Sequence, residues 1–205
     1  MSSSGYISGI KSFYDSFSHF YSFVSLIDHR PKHRGVSFSD PKKGDRILCI
    51  GFGLGEEIKS FKKQGCETYG IELSQGMIKM ARKKNSIENI AKGDTFHLPF
   101  KDKSFDIIYS CFLIDIFDDK GIATLLKEMR RVAKKDGRIV SVNNTFEQSM
   151  ISKALVAYYQ FVKDHLYTRM KTRPIIAENL FRKAGFKDIK QKKVSWGAEA
   201  VSGKS

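Results

Sequence analysis

At 205 residues, with a hydrophobic fraction of 41% and an aromatic fraction of 12%, the chain can fill one well-packed core and is too apolar for a disordered polymer. Its formal net charge is +14, and residues 147–205 supply half of that excess with 12 Lys/Arg against 5 Asp/Glu; such a surplus fits an anionic partner and equally a set of solvated lysine faces. The opening MSSSGYISGI has neither a charged n-region nor a continuous apolar h-region. The greasiest run, Phe105–Phe117, contains Asp106 and Asp115 and is too short for a bilayer, so the expected setting is cytoplasmic. Cys49, Cys66 and Cys111 form no CxxC pair, which excludes a disulfide scaffold or structural zinc site and leaves three small buried hydrophobes; no metal site is expected.

In chain order, Ile10, Phe13, Tyr14, Phe17, Phe20, Tyr21 and Val24 recur at helical intervals, and the segment should end near His29-Arg30-Pro31, because proline disfavours helix in the residue before it. A polar connection through Gly35, Pro41 and Gly44 follows. Strand and helix then alternate: strand Arg46–Ile50, helix Glu56–Lys63 closed by Gly65, strand Cys66–Ile71, a helix capped by Ser74 and running to about Lys84, strand Ile90–Gly93 and strand Phe105–Cys111. Next come a helix capped by Asp118 or Asp119 and bearing Ile122, Leu125, Leu126, Met129 and Val132, a turn at Asp136-Gly137, and strand Arg138–Asn143. Apolar strands alternating with helices imply a parallel sheet covered on both faces.

Beyond the last of these, Thr145 and Gln148 form a capping box for a helix carrying Ile151, Leu155, Tyr158, Tyr159, Val162 and Leu166. Pro174 opens a further helix ended by Gly185. Phe186–Lys193 and Val194–Ser202 read as a closing, antiparallel strand pair. The chain divides as one domain, residues 1–205: an N-terminal helical cap over 1–45, a binding core over 46–143, a substrate-covering helix over 144–173, and a closing helix and strand pair over 174–205.

The first strand runs into Gly51-Phe52-Gly53-Leu54-Gly55, and an acid, Glu72, stands 21 residues after Gly51 at the end of the next strand. A carboxylate there can accept both hydroxyls of a ribose lying across the strand ends. Dinucleotide sites use GxGxxG with the pyrophosphate on a helix N-terminus. Here Glu56 stands in place of the third glycine with Glu57 beside it; two carboxylates repel a diphosphate but tolerate a cationic ligand. Asp94, after Gly93 at the third strand's end, can accept from an exocyclic amine such as that of adenine. A nucleoside without a diphosphate is the ligand these residues suit.

The run Ile47 to Gly55 resembles the first motif of class I S-adenosylmethionine-dependent methyltransferases. Gly70-Ile71-Glu72-Leu73-Ser74-Gln75-Gly76-Met77 resembles their ribose motif, and Gly93-Asp94, Leu98-Pro99-Phe100 and Ser104-Phe105-Asp106 resemble their adenine motif and fourth strand. Lys127 to Arg138 is similar to the helix and turn before the fifth strand, and Ser195 to Lys204 to the final strand. Tyr14-Asp15 with Tyr21 resembles an N-terminal motif of the ubiquinone/menaquinone-type and related small-molecule enzymes, although Ser22 replaces the second aspartate of its repeat.

The resemblance implies an α/β, Rossmann-like methyltransferase fold with a mostly parallel seven-stranded sheet, helices on both faces and an N-terminal helical cap. S-adenosylmethionine would be the cofactor and S-adenosylhomocysteine the product. It implies that Glu72 binds the ribose hydroxyls, Asp94 the adenine amine, and Gly51 and Gly53 the methionine moiety. Thr95 would offer its backbone N–H to adenine, Met77 pack on that ring, Ser110 lie near the methionine end, and Tyr14 and Tyr21 close over the cofactor. Cys49 departs from the acidic residue usual at its place, which implies either weaker cofactor binding or compensation by Glu56 or Glu57, and a non-catalytic cofactor-binding descendant is one alternative reading.

The reaction implied is attack by an acceptor O, N, S or carbon on a sulfonium methyl, in which positioning and desolvation do most of the work. Candidate bases or orienting groups are His19, Asp115, Asn143 and His165. Tyr158, Tyr159, Phe161 and Tyr167 beside Lys153, Lys163, Arg169, Lys171 and Arg173 suit an aromatic or anionic small-molecule acceptor, such as a quinone-like, phenolic or lipid-precursor compound. A peripheral membrane contact is compatible with the charge. An RNA methyltransferase using the basic C-terminal third is the other alternative, disfavoured by the lack of an RNA-binding module or an aromatic base-flipping motif. No sequence feature specifies an oligomeric state.

Overall fold

The computed structural model describes residues 8, 9, 11, 12, 14, 15, 29–145, 173–195 and 197–205. Five parallel strands, β1 (Arg46–Ile50), β2 (Glu67–Glu72), β3 (Ile90–Lys92), β4 (Phe105–Cys111) and β5 (Ala133–Asn144), join β6 (Lys187–Ser195) and β7 (Ala198–Lys204) in one seven-stranded sheet of order β3-β2-β1-β4-β5-β7-β6. β7 runs antiparallel to both its neighbours. The strand order reverses between β1 and β4, which opens a crevice beyond their C-terminal ends, where open α/β sheets place their ligands.

The sheet is covered on both faces because its strands alternate which side chains they give to each. Ile47, Cys49, Ile107, Tyr109, Val140 and Val142 pack against α2 (Glu56–Lys63), α3 (Gln75–Asn85) and the helical residues 29–38, here α1. Leu48, Ile50, Ile71, Ile108, Ile139 and Val201 pack against α4 (Asp119–Val132) and α5 (Ala177–Lys183). Ile122, Leu125, Leu126, Met129 and Val132 are all buried along one stripe of α4, and Asp118, not Asp119, caps it by accepting from Gly121 N–H. A short 3-10 turn, Ile114–Ile116, joins the end of β4 to α4.

Four expectations are corrected. Residues 29–38 are helical, where a polar connection was expected from Pro31 on; the residues just before, 16–28, lie outside the described ones. Pro31 falls in the first described turn, where proline is tolerated, and packing holds the rest: Val36 and Lys32 are buried, and the backbone at Gly35 lies so close to the sheet that a Cβ there would stand 2.4 Å from Tyr109 Oη and from Val142 Cγ2. The turn between β6 and β7 comes after Ser195, not after Lys193, because Val194 is fully buried on the sheet and Gly197, with φ of 75°, supplies the reversal. Helix α5 starts at Ala177 instead of Pro174, since the preceding residues follow the sheet end, Arg173 N–H donating to Asp115 O and Ile175 N–H to Asn144 O. The expected Asp136-Gly137 turn is a bulge inside β5, with Asp136 at φ 62° and a register shift against β4 between Phe105 and Ile107. The substrate-covering helix expected over 144–173 lies outside the described residues except at its ends.

Among the described residues no helix is long and apolar enough to cross a membrane. The close approach at Gly35 is a testable packing constraint. Replacing Gly35 with Ala should lower the urea-denaturation free energy by roughly 1–3 kcal/mol, the cost of overfilling a tight core contact.

Candidate functional site

At the crevice the chain leaves β1 through Gly51 and Gly53, whose φ values of 64° and 54° lie in the left-handed region that a side chain disfavours. Gly51 N–H continues the ladder by donating to Ile71 O at 2.8 Å. Gly53 N–H then donates to Glu72 Oε2 at 3.2 Å, while Ser74 N–H donates to Glu72 Oε1 at 2.9 Å. One buried carboxylate therefore ties the glycine bend to the entry of α3. Burial pushes the Glu72 carboxyl up, the N–H groups of Ser74, Gly53 and Leu73 pull it down, and nearby Asp15 adds to the upward push; the net direction is up.

Ser74 caps α3, its Oγ accepting from Met77 N–H at 3.2 Å. Across the crevice, Asp94 Oδ1 accepts from Phe96 N–H at 2.9 Å and Oδ2 lies 3.2 Å from His97 Nδ1, which holds the loop after β3 in a tight turn. That loop is braced from α4. Glu128 Oε2 accepts from Leu98 N–H, and Arg131 donates to Leu98 O, Phe100 O and Asp102 while pairing with Glu128.

These elements line a cleft that opens to solvent. Of the residues expected from the sequence, Tyr14, Gly51, Gly53, Glu72, Met77, Asp94 and Thr95 all line it. Ser110 does not: it is 1% exposed, shares the α4 side of the sheet with Ile108, and donates to Ser141 Oγ at 3.1 Å. Its neighbour Cys111 lines the cleft instead, partly exposed, where a buried thiol was expected. Tyr21, His19 and His165 lie outside the described residues.

Asp115 and Asn143 are fully buried and are not among the cleft-lining residues. Asp115 accepts from the backbone and side chain of Asn144, fastening the 3-10 turn to the end of β5, and Asn143 Oδ1 accepts from Ser141 Oγ. Cys49, Glu56 and Glu57 likewise stand away from the cleft. Burial pushes the Cys49 thiol well up, and Glu56 pairs with Lys32 at 3.4 Å. Glu57 is buried beneath the bend with no hydrogen-bond partner at Oε2.

The sequence reading missed the apolar lining: Phe96, Phe112, Leu113, Ile116 and Phe117 line the cleft together with the carboxylates, as does Lys11. The signal was present in the run Phe105–Phe117, which stays apolar past the strand's last residue. The cleft thus pairs an acidic, hydrogen-bonding half with an apolar, phenylalanine-rich half. Among the described residues no cluster of His, Cys, Asp or Glu could hold a metal ion.

A model of the methyltransferase domain family matches residues 48–141. An uncharacterized protein of Methanocaldococcus jannaschii is 30% identical over 188 residues, covering 89% of this chain and 72% of that protein. The demethylmenaquinone methyltransferase of Corynebacterium kroppenstedtii is 33% identical over 100 residues, a match spanning 49% of this chain and only 42% of the relative. Among solved structures, the fold matches a Haloferax volcanii methyltransferase complex with the activator Trm112 (TM-score 0.75, 19% identity, covering 93% of this chain and 96% of that one). It also matches an S-adenosylmethionine-dependent methyltransferase of Thermotoga maritima (TM-score 0.71, 22% identity, covering 93% and 97%).

The buried Glu57 makes a prediction about stability. Burial raises its carboxyl pKa, outweighing the downward pull of Lys32. The folded state therefore favours the neutral acid, and stability is lost as pH rises from the ordinary carboxyl value of 4.5 through the raised folded value. Urea titrations across pH 4 to 8 should show this loss in the wild-type protein and a flatter profile in Glu57→Gln; parallel profiles would contradict the assignment.

Proposed function

Because this chain belongs to the S-adenosylmethionine-dependent methyltransferase family, we propose that its cleft holds S-adenosylmethionine between Glu72 and Asp94 and presents the methyl group to a flat, apolar small molecule. The observation that carries the reading is the convergence of both carboxylates and the glycine bend on one cleft. The donor set fits such a nucleoside. Both Glu72 oxygens accept backbone N–H groups and, with about four lone-pair sites on the carboxylate, keep capacity for a ribose hydroxyl, and Asp94 keeps acceptor capacity for an amine. No lysine or arginine sits on the bend to favour a diphosphate, and carboxylates suit a ligand bearing sulfonium and ammonium charge.

In this reading Met77 and Thr95, both buried, flank the base, Gly51 and Gly53 leave room for the methionine end, and Tyr14 covers the ribose side. When bound, the cofactor supplies an activated methyl on sulfur. The chain's part is to fix its ligands and to exclude water with Phe96, Phe112, Leu113, Ile116 and Phe117. The same wall supports a quinone-like or phenolic acceptor, in keeping with relatives named demethylmenaquinone methyltransferase.

Two measurements test these assignments. In calorimetry, S-adenosylmethionine and S-adenosylhomocysteine should bind the wild-type protein, and Glu72→Ala should weaken both by roughly 1–3 kcal/mol through loss of hydrogen bonds to a charged group; equal affinities would contradict the ribose assignment. With a panel of quinols, phenolic acids and short RNAs, S-adenosylhomocysteine should form with a quinol or phenol and not with RNA. Turnover confined to RNA would overturn the acceptor class.

A further inference from the structure

The two faces of the sheet carry their charge differently. On the α4–α5 face the arginines are answered: Arg131 pairs with Glu128, Arg182 with Glu178 and Arg173 with Asp119. On the other face α3 bears Lys79, Arg82, Lys83 and Lys84 and no acid, and α2 adds Lys59, Lys62 and Lys63. Of the two acids on α2, Glu57 is buried and Glu56 holds Lys32. Lys59, Lys62, Lys63, Lys79, Arg82 and Lys83 are all exposed, and none forms an ion pair among the described residues. The helix dipole explains the cations in the last turn of each helix. It does not explain Lys59 or Lys79, which lie before those turns and stand four residues from Lys63 and Lys83. Like charges at that spacing cost a helix stability.

The six cations share one surface. Ile58 and Phe61 of α2 and Ile78 and Ala81 of α3 pack into the same core layer, so the lysines on the outer side of each helix face the solvent together. Asn85, at the end of α3, accepts from Lys59 Nζ at 3.4 Å and donates to Leu54 O at 2.8 Å, which ties that end to α2 and the glycine bend. The other end of α3 reaches the cleft, which Ser74 and Met77 line. One helix therefore joins the cationic surface to the site.

We propose that the outer face of α2 and α3 docks the protein on an anionic lipid bilayer, from which the cleft draws its acceptor. The choice of a bilayer rests on the proposed reading of the cleft as taking a flat, apolar molecule, because such a molecule partitions into lipid. Lysines close to an anionic leaflet are attracted within about a Debye length of it. The face offers charge and nothing to insert: Ile176, just ahead of α5, is the one large hydrophobic side chain exposed among the described residues. Docking is therefore electrostatic and reversed by salt. Single-stranded RNA, the other polyanion such a face could meet, binds through stacking on aromatic rings as well as charge, and no phenylalanine or tyrosine is exposed among the described residues.

Co-sedimentation of the full chain with lipid vesicles tests the proposal. The wild-type protein should pellet with vesicles containing about one-third phosphatidylglycerol, stay in solution with phosphatidylcholine alone, and be released from the anionic vesicles by roughly 0.5 M salt. The double variant Lys79→Gln/Lys83→Gln should bind anionic vesicles about thirtyfold more weakly. Lys120→Gln/Lys127→Gln, the same charge change on α4, should bind them like the wild type, and both variants should keep wild-type affinity for S-adenosylhomocysteine. A quinol carried in anionic vesicles should be methylated faster than one in neutral vesicles, an advantage lost in the α3 variant while its turnover of a water-soluble phenol is unchanged. Equal vesicle binding by the two double variants, or binding of single-stranded RNA in preference to anionic vesicles, overturns the docking surface. Vesicle binding with turnover of neither quinol nor phenol overturns the reading of the cleft and leaves the docking surface standing.

Discussion

A single buried carboxylate organises the functional end of this molecule. Glu72 stands where β2 stops, and its two oxygens hold the backbone of the glycine bend at Gly53 and the start of α3 at Ser74. Burying a carboxylate is costly unless its charge is answered by donors; here the backbone N–H groups supply them, so the position of the acid and the shape of the bend are one constraint. The same constraint brings Met77, the first buried residue of α3, to the cleft wall, and gives Asp15 a fixed hydroxyl at which to anchor the N-terminal segment.

The apolar lining is held by different means. Phe96 follows the Asp94 turn, and the loop beyond it is strapped to α4 by the Glu128–Arg131 pair. Phe112 sits at φ 52° directly after β4, a left-handed step that turns the chain out of the sheet and into the apolar segment Leu113–Phe117. The positive charge concentrated in the C-terminal third has a partly architectural explanation: Lys187, Lys190, Lys192 and Lys193 are exposed along β6, the edge strand, where lysines discourage pairing with another chain.

Much of this could be read in advance because local signals and tertiary packing agree along the middle of the chain. The β4 strand has the bounds its apolar run indicates, Ser74 and Asp118 cap the helices they precede, and the Gly51 to Glu72 spacing puts bend and acid in one cleft. Where the sequence misleads, a distant contact wins over a local one. Residues 32–38 are helical and not a polar connection because Gly35 and Val36 seat that segment on the sheet, and Ser110 is turned away from the cleft by the alternation of β4. The apolar wall was only half legible, as a run that stays apolar past the end of β4, because its place at the cleft depends on residues that only the fold brings together.

The central claim, that the acids at the ends of β2 and β3 form one nucleoside site, is tested most directly by amide NMR of isotopically labelled protein titrated with S-adenosylhomocysteine. The account predicts that the amides of Gly53, Ser74 and Phe96, each bonded to Glu72 or Asp94, shift together and saturably while those of β6 stay still. Shifts concentrated on β6 or α1, with these three unmoved, would contradict it.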